Sequence, residues 1–199
     1  MKKQPEITEA TRKALIDAFC RLNREKPIEK ITIRELAARA GYNRCTFYQY
    51  FTDIYAVLEH IEDEVAGRVR ENFERIITQE AFGQTFFEAV TKIQTEQATY
   101  FDLLLRPANR ARFAEKLAKD VRPVFMERFH LPMGNPGAEY LVDMYFATVL
   151  AALGDWVNEG RKMPVEELSR LIGGVLTHGV MTEISKLKTC FLSIDWHKK

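Results

Sequence analysis

The chain has 199 residues, 29 Lys+Arg against 28 Asp+Glu, a formal net charge of +1 and 46% hydrophobic residues. These values fit an ordinary globular protein and argue against disorder. No uninterrupted apolar run approaches the roughly 18–20 residues of a membrane span, and no apolar stretch follows the basic first residues as a secretory signal would require. Neither a disulfide framework nor a zinc site is expected of the three scattered cysteines, Cys20, Cys45 and Cys190; we expect a cytoplasmic protein without membrane contact.

Apolar residues recur at three- and four-residue spacing almost throughout, which predicts an all-α fold. Thr8 precedes a first run that places Leu15, Ala18, Phe19 and Leu22 on one face, and Pro27 ends it. Thr32 with Glu35 forms a capping-box pattern: the hydroxyl accepts from the Glu35 N–H, and the carboxylate reaches back to the Thr32 N–H. A short helix follows from Ile33 to about Ala40, stopped by Gly41. Asn43 caps another, reaching about Tyr50. Longer helices are predicted over Ile54–Ile77, Gln84–Leu105, Arg110–Phe129 (with Pro123 as a kink or break), Ala138–Asn158 and Val165–Leu187. Pro107 breaks the chain before Arg110, and Leu131–Gly137 is a loop. The organisation is a three-helix unit, residues 1–53, rigidly joined through the helix at Ile54 to a body of residues 54–199.

Charge is unevenly shared. Residues 1–55 hold eleven basic against seven acidic residues, and the remainder holds 18 against 21. That asymmetry suits a protein that meets a polyanion at one end. Helix, tight turn at Gly41, helix is helix-turn-helix geometry, with Ala37, Ala38 and Ala40 allowing close approach. In the second helix Phe47 and Phe51 anchor to Leu36 and Phe19. Asn43, Arg44, Thr46, Gln49 and Tyr50 offer hydrogen-bonding groups. From periodicity alone, a helical hairpin that binds nothing remains open.

The run Thr32-Ile33-Arg34-Glu35-Leu36-Ala37, then Ala40-Gly41, then Thr46-Phe47-Tyr48-Gln49-Tyr50-Phe51 resembles the DNA-binding domain of the TetR family of bacterial transcription repressors. The stretch Leu153–Gly160 with Met163–Leu168 is similar to a looser pattern near the family's C-terminus. This resemblance implies a regulator of double-stranded operator DNA rather than an enzyme. Arg34 would reach a base or phosphate, and Arg44 and Thr46, beside Asn43 and Cys45, would lie in the major groove. There an Arg can pair bidentately with guanine and a Thr methyl can meet thymine. Tyr48 would donate its hydroxyl to a phosphate, Gln49 and Tyr50 would touch base or backbone, and Thr32 would cap and contact phosphate. One departure is Ile54, where the family usually has a phosphate-binding Lys; Lys2 and Lys3 on an N-terminal arm are candidate replacements.

For the body, the resemblance implies a cavity for a small-molecule effector, with Phe87, Tyr100, Phe101, Leu104, Phe125 and Tyr145 as candidate lining. It also implies a homodimer through the last two long helices, which carry small residues where close approach is useful: Ala147, Ala151 and Ala152 on one, and Gly173, Gly174 and Gly179 on the other. Interior glycines cost about 1 kcal/mol each relative to Ala, so three in one helix predict tight packing. No cofactor is expected. Glu59, His60, Glu62 and Glu64 sketch a weak metal pattern without H-E-x-x-H spacing, which we read as a solvated face. The alternatives are a helical adaptor that binds only protein and a helical enzyme.

Overall fold

The computed structural model describes residues 5–76 and 91–179, and among them every regular element is helical. Phe87, Cys190, Lys2 and Lys3 lie outside the described residues.

Helix α1 (Pro5–Glu25) leads through a single 3-10 turn, Ile28–Lys30, into α2 (Ile33–Arg39) and α3 (Arg44–Phe47). The start of α2 is half of the expected capping box. Thr32 Oγ1 accepts from the Glu35 N–H at 3.2 Å, but the Glu35 carboxylate takes Lys26 Nζ at 2.5 Å instead of turning back. Arg39 forks onto Glu25 at 2.5 and 3.2 Å. A charged partner across the turn outbids a neutral amide for a half-exposed carboxylate. Both ion pairs tie the end of α1 to α2.

Gly41 closes α2 at φ +81°. Its N–H bonds Ala38 O at 3.1 Å and the Tyr42 N–H bonds Ala37 O at 2.8 Å, a Schellman cap. A Cβ at Gly41 would meet nothing within 4 Å, so the glycine is required by backbone conformation alone. Gly41→Ala is therefore expected to destabilise by about 1–2 kcal/mol through left-handed strain, read by urea denaturation. No loss would show that the turn relaxes without that φ.

Phe19, Leu36 and Phe47 are fully buried and Phe51 nearly so, closing the core of the N-terminal unit. Asp53 Oδ1 accepts from the Ala56 N–H at 2.8 Å and so caps α4 (Ile54–Ile76). With Ile54 itself buried at 7% exposure, the N-terminal unit passes into the body without slack. A second tie comes from the body, where Arg106 Nη1 donates to the Asn23 carbonyl near the end of α1 at 2.6 Å.

After residue 90 the expected single helix to Leu105 is interrupted. Residues 91–96 are helical, Gln97 leaves helical geometry at φ −135°, ψ 39°, and α5 (Ala98–Leu104) starts anew. The Gln97 side chain is buried and bonded to α4, which holds its backbone out of the helix. Then α6 (Pro107–Arg128) runs unbroken through Pro123, so the helix does not break there; it packs between α4 and α7. Helix α7 (Pro136–Asn158) starts two residues before expectation, because Asn135 Oδ1 accepts from the Ala138 N–H at 3.1 Å and Pro136 suits the first turn. Last is α8 (Val165–His178), closed by Gly179 at φ +82°. Gly179 is thus a cap, and only Gly173 and Gly174 are interior.

One 18-residue window of α7 is apolar enough, at mean hydropathy 1.2, to match a membrane-crossing helix by length and composition. This corrects the expectation that no segment approaches that measure. The apolarity is used in packing: Val142, Tyr145, Phe146, Val149, Leu150 and Leu153 are buried, and α7 lies chiefly against α6.

Candidate nucleic-acid interface and effector cavity

Four residues make too short a helix to stand alone, so α3 is held by what surrounds it. Phe47 plugs it into the core, with the Tyr48 ring edge-on at 5.7 Å and Phe51 at 5.8 Å. Asn43 Oδ1 accepts from the Thr46 N–H at 2.9 Å and the Thr46 hydroxyl at 3.3 Å. The side chains of Asn43 and Thr46 thus spend polar capacity on the cap itself. Arg44, Cys45, Tyr48 and Gln49 are exposed on the opposite side, with Tyr48 at 59%. Arg34 on α2 and Arg44 on α3 form no ion pair among the described residues, whereas Arg39 and Lys26 are consumed internally.

One of the expected contacts sits differently. Tyr50 is half-buried against the core with the Arg12 guanidinium 5.9 Å over its ring, so it is turned towards α1 and away from the exposed edge. Ile54 is a core residue. Tyr42, not singled out from the sequence, is 37% exposed beside the turn and its hydroxyl accepts from Thr11 at 3.4 Å. Its signal was its place directly after the cap glycine, a position that fixes the backbone and leaves the ring outward.

In the body, Val65, Val69 and Phe73 of α4, Ile93, Phe101 of α5, Phe113 and Leu117 of α6, and Tyr145, Phe146, Val149, Leu150 and Leu153 of α7 surround an apolar void of about 50 Å³. Of the candidate lining residues, Phe101 and Tyr145 are here. Phe125 packs beside it, 5.1 Å from Tyr145 and 6.0 Å from Phe73 between ring centres. Leu104 is fully buried outside the lining. Tyr100 is on a different side of α5, in a polar cleft. Burial pushes the Tyr145 hydroxyl well above the usual phenol range, so it stays neutral.

The acidic residues around His60 diverge. Glu64 accepts from Gln97, His60 packs edge-on to Phe51 at 5.8 Å, and Glu62 accepts from Arg112 Nη2 at 3.0 Å. The Glu62 side chain is 1% exposed, and its Oε1 has no hydrogen-bond partner among the described residues. Burial raises its carboxyl above the ordinary value, against the opposing pull of Arg112 and Lys116. A carboxyl raised on folding costs stability once pH exceeds its unfolded value, so stability falls as pH climbs through the folded value. Glu62→Gln is expected to match or exceed the parent in stability at pH 7, with the difference shrinking as pH is lowered towards 4.5. Urea melts at three pH values test this; a variant weaker at pH 7 would mean that the Arg112 pair outweighs desolvation.

Residues 15–61, covering the second half of α1 through α3 and the start of α4, match the family model described as bacterial regulatory proteins, tetR family. The N-terminal unit is therefore similar to the DNA-binding domain of that family. Over 110 residues the chain is 31% identical to an uncharacterized HTH-type transcriptional regulator of Haemophilus influenzae, covering 51% of this chain and 52% of that protein. The chain thus spans about half the length of the curated relative it matches. The fold of the chain is similar to that of the fatty acid degradation regulator FadR of Bacillus halodurans, with TM-score 0.64 and 17% identity over 90% of this chain and 98% of that one. It is also similar to FadR of Bacillus subtilis in complex with stearoyl-CoA, with TM-score 0.58 and 16% identity over 84% of this chain and 98% of that one. At these identities the likeness is one of fold.

Proposed function

We propose that this protein is a cytoplasmic DNA-binding transcription regulator, acting as a homodimer whose two α3 helices enter successive major grooves of a palindromic operator. The observation that carries this reading is the division of labour on α3. Phe47 is fully buried, while Arg44, Cys45, Tyr48 and Gln49 stand exposed and Arg44 forms no ion pair among the described residues. An unpaired Arg beside an exposed Tyr on a rigidly seated helix is a base reader next to a phosphate contact. Arg34 and Thr32 extend the same exposed edge.

Dimerisation through α7 and α8 is supported by what α7 leaves uncovered. Tyr140, Leu141 and Met144 are 68%, 61% and 65% exposed, and Leu171 of α8 is 38% exposed. Large apolar side chains left exposed on both helices suit an interface. Repression is released when an effector enters the apolar void. At about 50 Å³ the void is far below the roughly 300–1,000 Å³ of small-molecule sites, so a ligand opens it by displacing the aromatic rings around it. The lining suits a hydrophobic effector. It shifts operator binding only by its differential affinity for the open and closed states.

In vitro selection of duplexes from a random pool, at two salt concentrations, tests the reading. The expected product is an inverted repeat with half-sites one helical turn (about 34–36 Å) or a multiple apart, with affinity falling steeply as salt rises. Enrichment of no sequence, or of single unpaired half-sites, would overturn it.

A further inference from the structure

Most cations of the N-terminal unit are engaged away from α3. Arg12 pairs with Glu9, Lys26 with Glu35 and Arg39 with Glu25. Lys13 lines the polar cleft against the body, and Arg21 and Arg24 lie near Cys20, as Arg106 of the body does. Of the cations between residues 5 and 55, that leaves Lys30, Arg34 and Arg44 for an anionic surface. These are few for fixing the register of a helix on a duplex, where roughly half or more of the hydrogen bonds go to phosphate and sugar.

Neutral donors surround the same edge. Among the described residues up to the first turn of α4, the exposed large apolar side chains are Tyr42, Tyr48 and Tyr55. Every one of them ends in a hydroxyl. They bracket α3 in chain order: Tyr42 directly before its Asn43 cap, Tyr48 at its C-cap and Tyr55 on the first turn of α4.

Each is held in place. Thr11 Oγ1 donates to the Tyr42 oxygen at 3.4 Å, which leaves the phenol O–H to donate outward. The Tyr48 ring rests edge-on against Phe47. Tyr55 is 47% exposed, on a turn whose Ile54, Val57 and Leu58 are buried and whose start is capped by Asp53. Helical side chains lean towards the N-terminus of their helix, so the Tyr55 ring leans back over the Thr52–Asp53 turn towards α3. Exposed Glu59 stands one turn further from α3.

We propose that Tyr42 and Tyr55 join Tyr48 as a clamp of neutral donors on the DNA phosphate backbone, flanking α3 and setting the register in which Arg44 meets the bases. A phenol donates a hydrogen bond to a phosphate without bringing a charge, so it adds affinity without releasing counterions. The clamp rests on the DNA-binding reading above.

Fluorescence anisotropy of the full chain on the selected operator and on an alternating dA-dT duplex, over about 50–200 mM salt, tests it. Tyr42→Phe and Tyr55→Phe are each expected to weaken binding to both duplexes about threefold to tenfold, the scale of one neutral hydrogen bond. The slope of log affinity against log salt should not change in either. Tyr55→Lys is expected to recover the affinity at low salt and to steepen that slope by about 0.9 per subunit, the value for one phosphate met by a cation. Circular dichroism melts check folding, and Tyr55→Lys, at an exposed site, keeps the test open should Tyr42→Phe loosen the tie to Thr11. Parental affinity in both phenylalanine variants, a loss confined to the operator, or an unchanged slope in Tyr55→Lys would each overturn the clamp; a loss of operator affinity in Arg44→Ala alongside would show that the DNA-binding reading stands without it. A parent chain that binds neither duplex would overturn that reading and the clamp together.

Discussion

Phe47→Ala is expected to destabilise the protein by about 3–5 kcal/mol, the cost of truncating a buried Phe in a packed core. Phe47 is fully buried, and its carbonyl accepts from the Tyr50 N–H at 2.9 Å and the Phe51 N–H at 3.0 Å. The ring therefore holds both α3 and the turn that follows. Little else does, since a four-residue helix has almost no stability of its own. Operator binding should be lost with the fold, and urea denaturation should show an earlier midpoint in the variant. Phe47→Leu, which refills most of the space, should recover much of the loss. A Phe47→Ala protein within 1 kcal/mol of the parent, by the same scale of core truncations, would mean that α3 is seated by its Asn43 cap rather than by this ring.

Arg44→Ala is expected to do the reverse, leaving the fold intact and removing recognition. Arg44 is exposed and forms no ion pair among the described residues, so its loss should move stability by no more than about 0.5 kcal/mol. Specific DNA affinity should fall by about 1–3 kcal/mol, with relaxed preference at one base pair of each half-site. Tyr48→Phe provides the contrast. Its hydroxyl is assigned to a phosphate, so binding to all sequences should weaken about equally. Fluorescence anisotropy on the selected operator and on single-base variants separates the two patterns. Unchanged operator affinity in Arg44→Ala would remove α3 from the interface.

The helix-turn-helix could be read from the sequence because its determinants are local. Thr32 reaches Glu35, Asn43 reaches Thr46, and Gly41 takes a φ that few other residues tolerate. Each of these spans three residues or fewer, so residue type and spacing contain nearly the whole interaction. The same locality explains where the reading failed within this segment. Glu35 found a better partner in Lys26, nine residues away, and Tyr50 turned to Arg12, which only the packing of α1 brings near.

By itself, then, the amino-acid order determined the helical class, the caps, the turn and the family resemblance. What tertiary structure decided is which side of each helix meets what. It put Ile54 in the core, carried α6 through Pro123, and interrupted the helix at Gln97. It also sent neighbouring aromatics apart, Phe101 into the apolar void and Tyr100 into the polar cleft. The physical reason is one of range. Backbone hydrogen bonds and caps close over three or four residues, whereas burial and side-chain hydrogen bonding depend on partners tens of residues distant, such as Glu64 with Gln97 or Asn23 with Arg106, whose meeting no short stretch of chain encodes.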